Sequence, residues 1–488
     1  MAAIIQLACK GIQDNYLTVD ASVTFFRAVY KRHTQFAIQT VKNYFTTPPN
    51  FGAKYSCKVA RCGDLLSKMY LVMVLPCLNV PQSQNYKISW VKKVAFKLVK
   101  SVELEFNSIV IEKHYGEWYN IWYSLTVPDN ARYDNLIGLS KVLNEPSKYI
   151  PETELVIPLS FWFNKSMSLA LPLLSLPDQE IKINVELSDA SCCIMLTPTN
   201  YIKIKDPLVT FKKGCIIKQI KHGVETAVGK YCYEDVLKSR IYYEKLYGEF
   251  CDGILTDLKE KICVTATGKE GIYFPIQECN NIKLVDMHLL CDYVLLCPEE
   301  KDKMMIKNLN RAYLIEQVLY YDEKILTGPD TIFTLKFSNL CKEVIWVVQS
   351  DYALFAKQYF NYTSDIVGYC NNNLDCEDNT IIKKETVLTD NIERITLRSS
   401  LYFDSLQPYT YHSNSSPGIN TYSFSLYPEE LQPSGSINLE TISNFGLKLI
   451  INKKKRWNQI KLRSYARIYN VFEIRDNLGA LMFNNNNI

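Results

Sequence analysis

The side chains that could do chemistry are few in kind and widely scattered. Five histidines and 16 cysteines are spread over 488 residues, with no G-x-S-x-G, no H-E-x-x-H and no G-x-G-x-x-G after a strand. No C-x-x-C occurs, and Cys57/Cys62, Cys291/Cys297 and Cys370/Cys376 are spaced more loosely than a standard zinc knuckle. The run Gly223 to Gly229-Lys230 approaches a phosphate loop, but it is one residue too long and offers Tyr231 where a magnesium-binding hydroxyl belongs. His114 and His412 lie among aromatics, where a hydrogen-bonded structural imidazole is the default reading. Glu429-Glu430 sits in a proline-flanked loop, and nothing in its sequence argues a perturbed pKa. Catalytic, cofactor-binding and metal-ligating residues are accordingly all read as none, and an enzyme is the weakest option.

Binding chemistry is the next class to weigh. Arg27, Lys31, Arg32 and His33 stand beside an apolar stripe, where charges are ordinarily a solvated face. Lys453-Lys454-Lys455-Arg456-Trp457 invites a nucleic-acid reading, since bases beside an aromatic can grip phosphates and stack a base. The formal charge of +4 is small for this length, so no direct nucleic acid is expected as a partner. Met1-Ala2-Ala3 runs on without a basic and apolar leader, and no apolar run approaches a membrane span. The scattered cysteines then read as reduced thiols made in a cytoplasm, and the acceptor-like triplets at Asn164, Asn361 and Asn414 are not expected to carry glycans.

The elements that position these residues are strands. Aromatics make up 12% of the chain, 33 of them Tyr, which favours sheet faces over helical bundles. Met69 to Leu75 is a continuous apolar run, as in a strand buried on both faces. Val94, Phe96 and Leu98, then Val102, Leu104 and Phe106, alternate as half-buried strands, with Asn107-Ser108 as the turn before Ile109. Leu155 to Phe163 and Ile181 to Leu187 read as strands around a loop, and the order repeats as Ile419 to Leu426, a loop to Gly435, and Ile437 to Ile451. Leu289 to Leu295 matches Tyr465 to Val471 in the same way, so the chain repeats in pattern and order. Two such units fit two successive jelly rolls, each closing its edges by Greek-key winding.

Between the units, Pro298-Glu299-Glu300-Lys301-Asp302-Lys303 is a sound helix start that should run to about Leu309. Ser188 to Lys283 is too long for a bare loop and is read as a folded excursion, while Asp351 to Asn391 is polar and read as mobile at its middle. The division expected is a 1-21 arm, a first jelly roll over 22-297 with the 188-283 excursion, a connecting helix over 298-310, and a second jelly roll over 311-488 with a polar insertion at 351-391.

Gly11, Asp14, Leu17 and Thr18, followed by Phe25-Phe26, Val29-Tyr30, Arg32-His33-Thr34 and Phe36-Ala37, then form a specific series. From the apolar spacing over Phe26 to Ala37 a helix-like lead-in to a first strand is expected. The series resembles the N-terminal signature of the major capsid proteins of nucleocytoplasmic large DNA viruses. His114-Tyr115-Gly116-Glu117-Trp118, Leu314 to Val318, Lys342 to Gln349 and Gln407-Pro408-Tyr409 extend the resemblance to about Leu481. Val19 stands where a glycine is common, Asn107-Ser108 replaces a glycine pair, and Arg398 to Leu401 is shorter than the family's stretch.

The resemblance implies an all-β double jelly roll, two consecutive eight-stranded antiparallel jelly rolls with a short connecting helix and large loop insertions. It implies a structural protein of the virion that assembles as a homotrimer of pseudo-hexagonal outline and tiles an icosahedral shell. The partners implied are the chain itself, neighbouring capsomers, minor capsid proteins and an internal viral membrane. The expected location is the virion capsid, after synthesis in host cytoplasm and assembly in a viral factory. Alternatives are a diverged capsid paralogue, a membrane-shaping assembly scaffold, or, from another class, a carbohydrate-binding β-sandwich at the host surface.

Overall fold

The computed structural model describes Asp20 and residues 33–483, apart from 82–85, 129–130, 206–210, 213, 222–223, 237, 258–261, 274–281, 306–310, 327, 366–379 and 453–458. The helix-like lead-in over residues 22–32, the basic cluster from Arg27 to Arg32, the Cys370/Cys376 pair and the run Lys453 to Trp457 lie outside the described residues.

In chain order the first half contains β1 (Phe36–Tyr44), β2 (Lys54–Lys58), β3 (Leu65–Leu75), helix α1 (Val94–Leu98), β4 (Val99–Phe106), β5 (Ile109–Tyr115), α2 (Gly116–Thr126), β6 (Thr153–Pro158), α3 (Trp162–Lys165) and β7 (Ile181–Leu187). Six further strands follow: β8 (Asn200–Ile204), β9 (Ile216–Lys221), β10 (Val224–Asp235), β11 (Arg240–Gly248), β12 (Gly253–Asp257) and β13 (Cys263–Ile272). Then comes β14 (Asp286–Leu296). The second half contains α4 (Pro298–Met305), β15 (Arg311–Ile325), β16 (Asp330–Thr334), β17 (Leu340–Ser350), α5 (Asp351–Phe355), β18 (Ile382–Thr389), α6 (Gln407–Tyr411), β19 (Ile419–Ser423), β20 (Phe445–Ile451) and β21 (Ile460–Arg475).

Two sandwiches of the same winding result. In the first, the sheet β1-β14-β3-β6 faces β2-β7-β4-β5. In the second, β15-β21-β17-β19 faces β16-β20-β18, and the short pieces Ile392–Glu393 and Arg398–Ser399 complete that sheet on β18. In each, the strand that comes last in sequence lies between the first and the third, which is the jelly-roll return. The strands β3 and β17 show why these residues fold so. Leu66, Met69, Leu71 and Met73 fill the first core, and Cys341, Val344, Trp346 and Val348 fill the second.

The repeat holds in order, with one shift in register. Leu71 pairs with Leu289 and Met69 with Cys291, while Trp346 pairs with Ser464 and Val344 with Ala466. Both β3 and β17 carry a bulge near their start, which aligns them residue for residue. Cys291 thus corresponds to Ala466, so the expected match of Leu289–Leu295 with Tyr465–Val471 is one residue out. Because strand side chains alternate with period two, that slip exchanges the faces: Tyr465 and Arg467 point away from the sandwich core.

Four local expectations are corrected. Val94, Phe96 and Leu98 are helical, not extended, since Ala95 is buried along with them and a short all-buried run can satisfy either period. The strand expected to reach Phe163 stops at Pro158, and the chain turns helical because Phe161, Trp162 and Phe163 are all buried, which strand alternation does not allow. Ile437 to Ile451 is broken by a 3₁₀ turn at Leu439–Thr441, leaving β20 as its strand. The polar stretch 351–391 ends in β18, a strand of the sandwich, whose Glu385 is fully buried.

Other readings are met. Asn107 and Ser108 both take positive φ, 46° and 69°, so they make the tight turn that a glycine pair would make. The helix expected at Pro298 runs to Met305, and its continuation to Leu309 lies outside the described residues. Lys230 and Tyr231 sit within β10, so that stretch is strand and not a phosphate loop. The strands β8 to β13 close into a barrel, β8-β11-β10-β9-β12-β13, between the last two strands of the first sandwich. It has its own core of Ile202, Ile217, Ile241, Tyr243, Phe250 and Leu255.

Candidate functional site

The feature with the most chemistry is the seam between the sandwiches. β17 is apolar on both alternations: Ile345 and Val347 face away from its core and are still buried, so another element must cover them. That element is α2. Its Trp118, Ile121 and Leu125, spaced three and four apart, make one stripe that packs on Val318, Ile345, Val347, Ile419 and Tyr465. The helix can start only on glycine, because a Cβ at Gly116 would lie 2.0 Å from the Phe96 carbonyl oxygen. Glu117 in its first turn takes a 2.8 Å hydrogen bond from Tyr465 Oη and a 2.8 Å ion pair from Arg463 Nη2.

Beside this stripe lies a buried charge cluster. Arg467 donates Nη2 to Glu316 Oε2 at 2.7 Å and Nη1 to Glu343 Oε1 at 2.6 Å, and its guanidinium lies 4.2 Å over the Trp122 ring of α2. Lys165 from α3 crosses the seam to Glu316 at 3.1 Å, and Lys342 binds Glu316 from the other side. His412 completes the cluster, with Nε2 3.0 Å from Glu343 and Nδ1 3.2 Å from Glu429. Burial opposes the charged forms of Glu343 and His412, and their partners decide the outcome, whereas burial and the neighbouring Arg467 hold Lys342 below its ordinary value. The Glu343 carboxyl, raised by burial, is pulled back below its ordinary value to about 2 by His412 and Arg467. His412, lowered by burial, is lifted to about 9 by Glu343 and Glu429.

A third contact runs the other way. Phe472 of β21 enters the first core against Trp162 and Phe106, with ring centroids 5.4 and 5.8 Å apart. Gln179 holds the backbone of Gly479 with two bonds, 2.9 Å to its oxygen and 2.8 Å from its nitrogen. Gln317 Nε2 donates to the Ile111 carbonyl at 3.0 Å. These polar contacts fix one orientation, which apolar packing alone would leave loose.

The residues singled out from the sequence divide accordingly. His412 and Glu429 are drawn into the cluster, whereas His114 lies in the first core, 2.9 Å from Glu112 and stacked on Phe161. Cys57, Cys193 and Cys291 are buried thiols pushed up by burial to about 11, 12 and 12. Among the described residues no group of three or more His, Cys, Asp or Glu is placed to hold a metal. Sequence reasoning missed Glu316, Glu343, Arg463 and Arg467. Their signal was a strand that alternates Arg463, Tyr465, Arg467 and Tyr469 with apolar or small residues, too ionic for a core and too aromatic for a solvent face.

The family model described as major capsid protein N-terminus matches residues 24–214, and that described as large eukaryotic DNA virus major capsid protein matches residues 300–480. Probable capsid protein 4 of Acanthamoeba polyphaga mimivirus is 32% identical over 98% of this chain and 98% of its own length. The chain belongs to the major capsid protein family of large eukaryotic DNA viruses. The major capsid protein of Paramecium bursaria Chlorella virus 1 is 24% identical over 98% of this chain and 99% of its own. Among solved structures, the Faustovirus major capsid protein aligns at TM-score 0.66 and 13% identity, covering 95% of this chain and 94% of that one. A quasi-atomic model of the PBCV-1 virus capsid aligns at 0.65 and 21%, covering 95% and 100%. The capsid family thus shares the double jelly roll, and the seam is what makes this chain's two sandwiches one body.

Proposed function

We propose that three copies of this capsid protein form a homotrimer of pseudo-hexagonal outline that tiles an icosahedral shell. One observation carries the reading: two sandwiches of the same topology are locked side by side by a buried seam, so one chain supplies two neighbouring sixths of a six-part ring. In this reading the working units are the arm 1-21, the first jelly roll 22-297, the connecting helix 298-310 and the second jelly roll 311-488. Its energetics are those of interfaces, where buried apolar area with a polar rim decides association and no group turns over substrate. Neighbouring capsomers, minor capsid proteins and an internal membrane are the partners such a tile meets, after synthesis in the cytoplasm and assembly in a viral factory. Native mass spectrometry of the purified chain at micromolar concentration tests the trimer. A dominant species at three times 56.4 kDa is expected, and a monomer alone would remove the reading.

A further inference from the structure

The two sandwiches repeat each other, yet their outward sheet faces are treated differently. On the second, the face bearing Val318, Ile345, Val347, Ile419 and Tyr465 is sealed by α2. The strand registers identify the same positions on the first. Cys291 corresponds to Ala466 and pairs with Val41 as Ala466 pairs with Leu319, so Thr40 stands where Val318 does. By the same pairing Tyr70, Val72, Val156 and Leu290 stand where Ile345, Val347, Ile419 and Tyr465 do. This face is apolar at four of the five positions; Val72 is buried within the chain and Tyr70, Val156 and Leu290 are half-buried, while α2, which seals the counterpart, has been used on the other sandwich. Along β1 the same alternation places Phe36, Ile38 and Tyr44 outward, 57, 46 and 64% exposed. An antiparallel sheet face turned to water is ordinarily polar, so an apolar one marks a contact.

The element that could seal it is present on the second sandwich. α2 follows β5, the strand that pairs with β4; in the second half the helical stretch Tyr402–Leu406 and α6 follows Arg398–Ser399, which pairs with β18 as β5 pairs with β4. Where the α2 stripe is buried, this stretch presents Leu406 and Tyr409, three residues apart, 51 and 84% exposed. A face without its helix and a helix without its face, on opposite halves of one chain, satisfy each other between copies.

We propose that the stretch Tyr402–Tyr411 of one copy docks, through Leu406 and Tyr409, on the outward face of β1, β14 and β3 of a second copy, repeating between chains the contact that α2 makes within one. The contact is heterologous, and repeating it closes a ring when three copies have contributed six sandwiches. It rests on the trimer reading above and names the surfaces that reading needs.

The test uses the full chain. Both side chains are exposed within one copy, so Leu406→Asp with Tyr409→Asp should leave the circular dichroism and melting temperature of the protomer unchanged. It should raise the concentration at which the trimer dissociates by about tenfold or more. Ile332→Asp, equally exposed but on β16, is the control and should leave the trimer intact. A photoreactive benzophenone amino acid at position 409, in a mixture of isotope-labelled and unlabelled chains, should crosslink between copies to peptides from Phe36–Tyr44 or Leu65–Leu75. A trimer that persists in the double variant, or crosslinks that map to another surface or another protein, would overturn the docking while leaving the trimer standing. A wild-type chain that is monomeric throughout would overturn both.

Discussion

Arg467 shows what a charge does inside this protein. Two carboxylates and a tryptophan face surround its charge, and removing it leaves Glu316 to Lys165 and Lys342 and leaves Glu343 to His412 alone. Breaking a buried pair by deleting one partner costs about 3–5 kcal/mol, so Arg467→Ala should lower stability by that amount in urea denaturation. His412 makes the cluster sensitive to pH. Its ordinary value of 6.5 is raised to about 9 in the folded chain, so its contribution is complete below pH 6.5 and is lost as pH rises through 9. Glu343 acts at the other end, its value falling from 4.5 to about 2, so its contribution is present above pH 4.5 and fades below it. Stability should therefore decline between pH 6.5 and 9 by an amount on the order of 3 kcal/mol, and His412→Gln should flatten that slope. An unchanged slope in the variant would show that His412 is not the group responsible.

At the scale of elements, α2 is the wedge that makes one body of two. Trp118 is buried in the seam with Tyr465 at 5.5 Å between ring centroids. Its truncation to alanine should cost about 3–5 kcal/mol, with faster amide exchange in β17 and β21 and little change in the barrel. Equal loosening of the barrel would mean that the three cores unfold as one unit. β18 illustrates why some strands were hard to read. Lys383, Lys384 and Glu385 look like a solvated run, yet Glu385 Oε2 accepts from Trp346 Nε1 at 2.8 Å in the second core, and burial pushes its carboxyl well above the usual range. A buried carboxyl with one oxygen met by a tryptophan has no signature in local sequence.

At the scale of the molecule, the two halves elaborate the same connection differently. The first inserts a whole barrel between its last two strands, and the second spans Ile451 to Ile460 with the basic run Lys453 to Arg456. The barrel also leans on the second sandwich, with Leu246, Val228 and Ile216 against Ala356 near α5. If the connections at that end face outward in the proposed shell, the basic run is open to solvent in particles. Limited trypsin treatment of intact particles should cut promptly after Lys453 to Arg456. Protection until the particles are disrupted would instead give that end an inner, membrane- or genome-facing place.

How much of this was legible follows from what each signal depends on. Strand order and the repeat of the two jelly rolls could be read because they rest on local alternation and on the placing of Pro-bearing loops. The capsid resemblance could be read because it rests on linear motifs such as His114 to Trp118. The seam could not be. Whether Tyr465 and Arg467 face a core or a neighbour depends on a register one residue finer than pattern matching resolves, and on bulges in β3 and β17 that only the paired strands reveal. Likewise Glu316, Glu343, Arg467 and His412 are far apart in sequence, and none of them alone points to the other three. Only the closed fold brings them to within hydrogen-bonding distance, where removal from water makes their pairing obligatory.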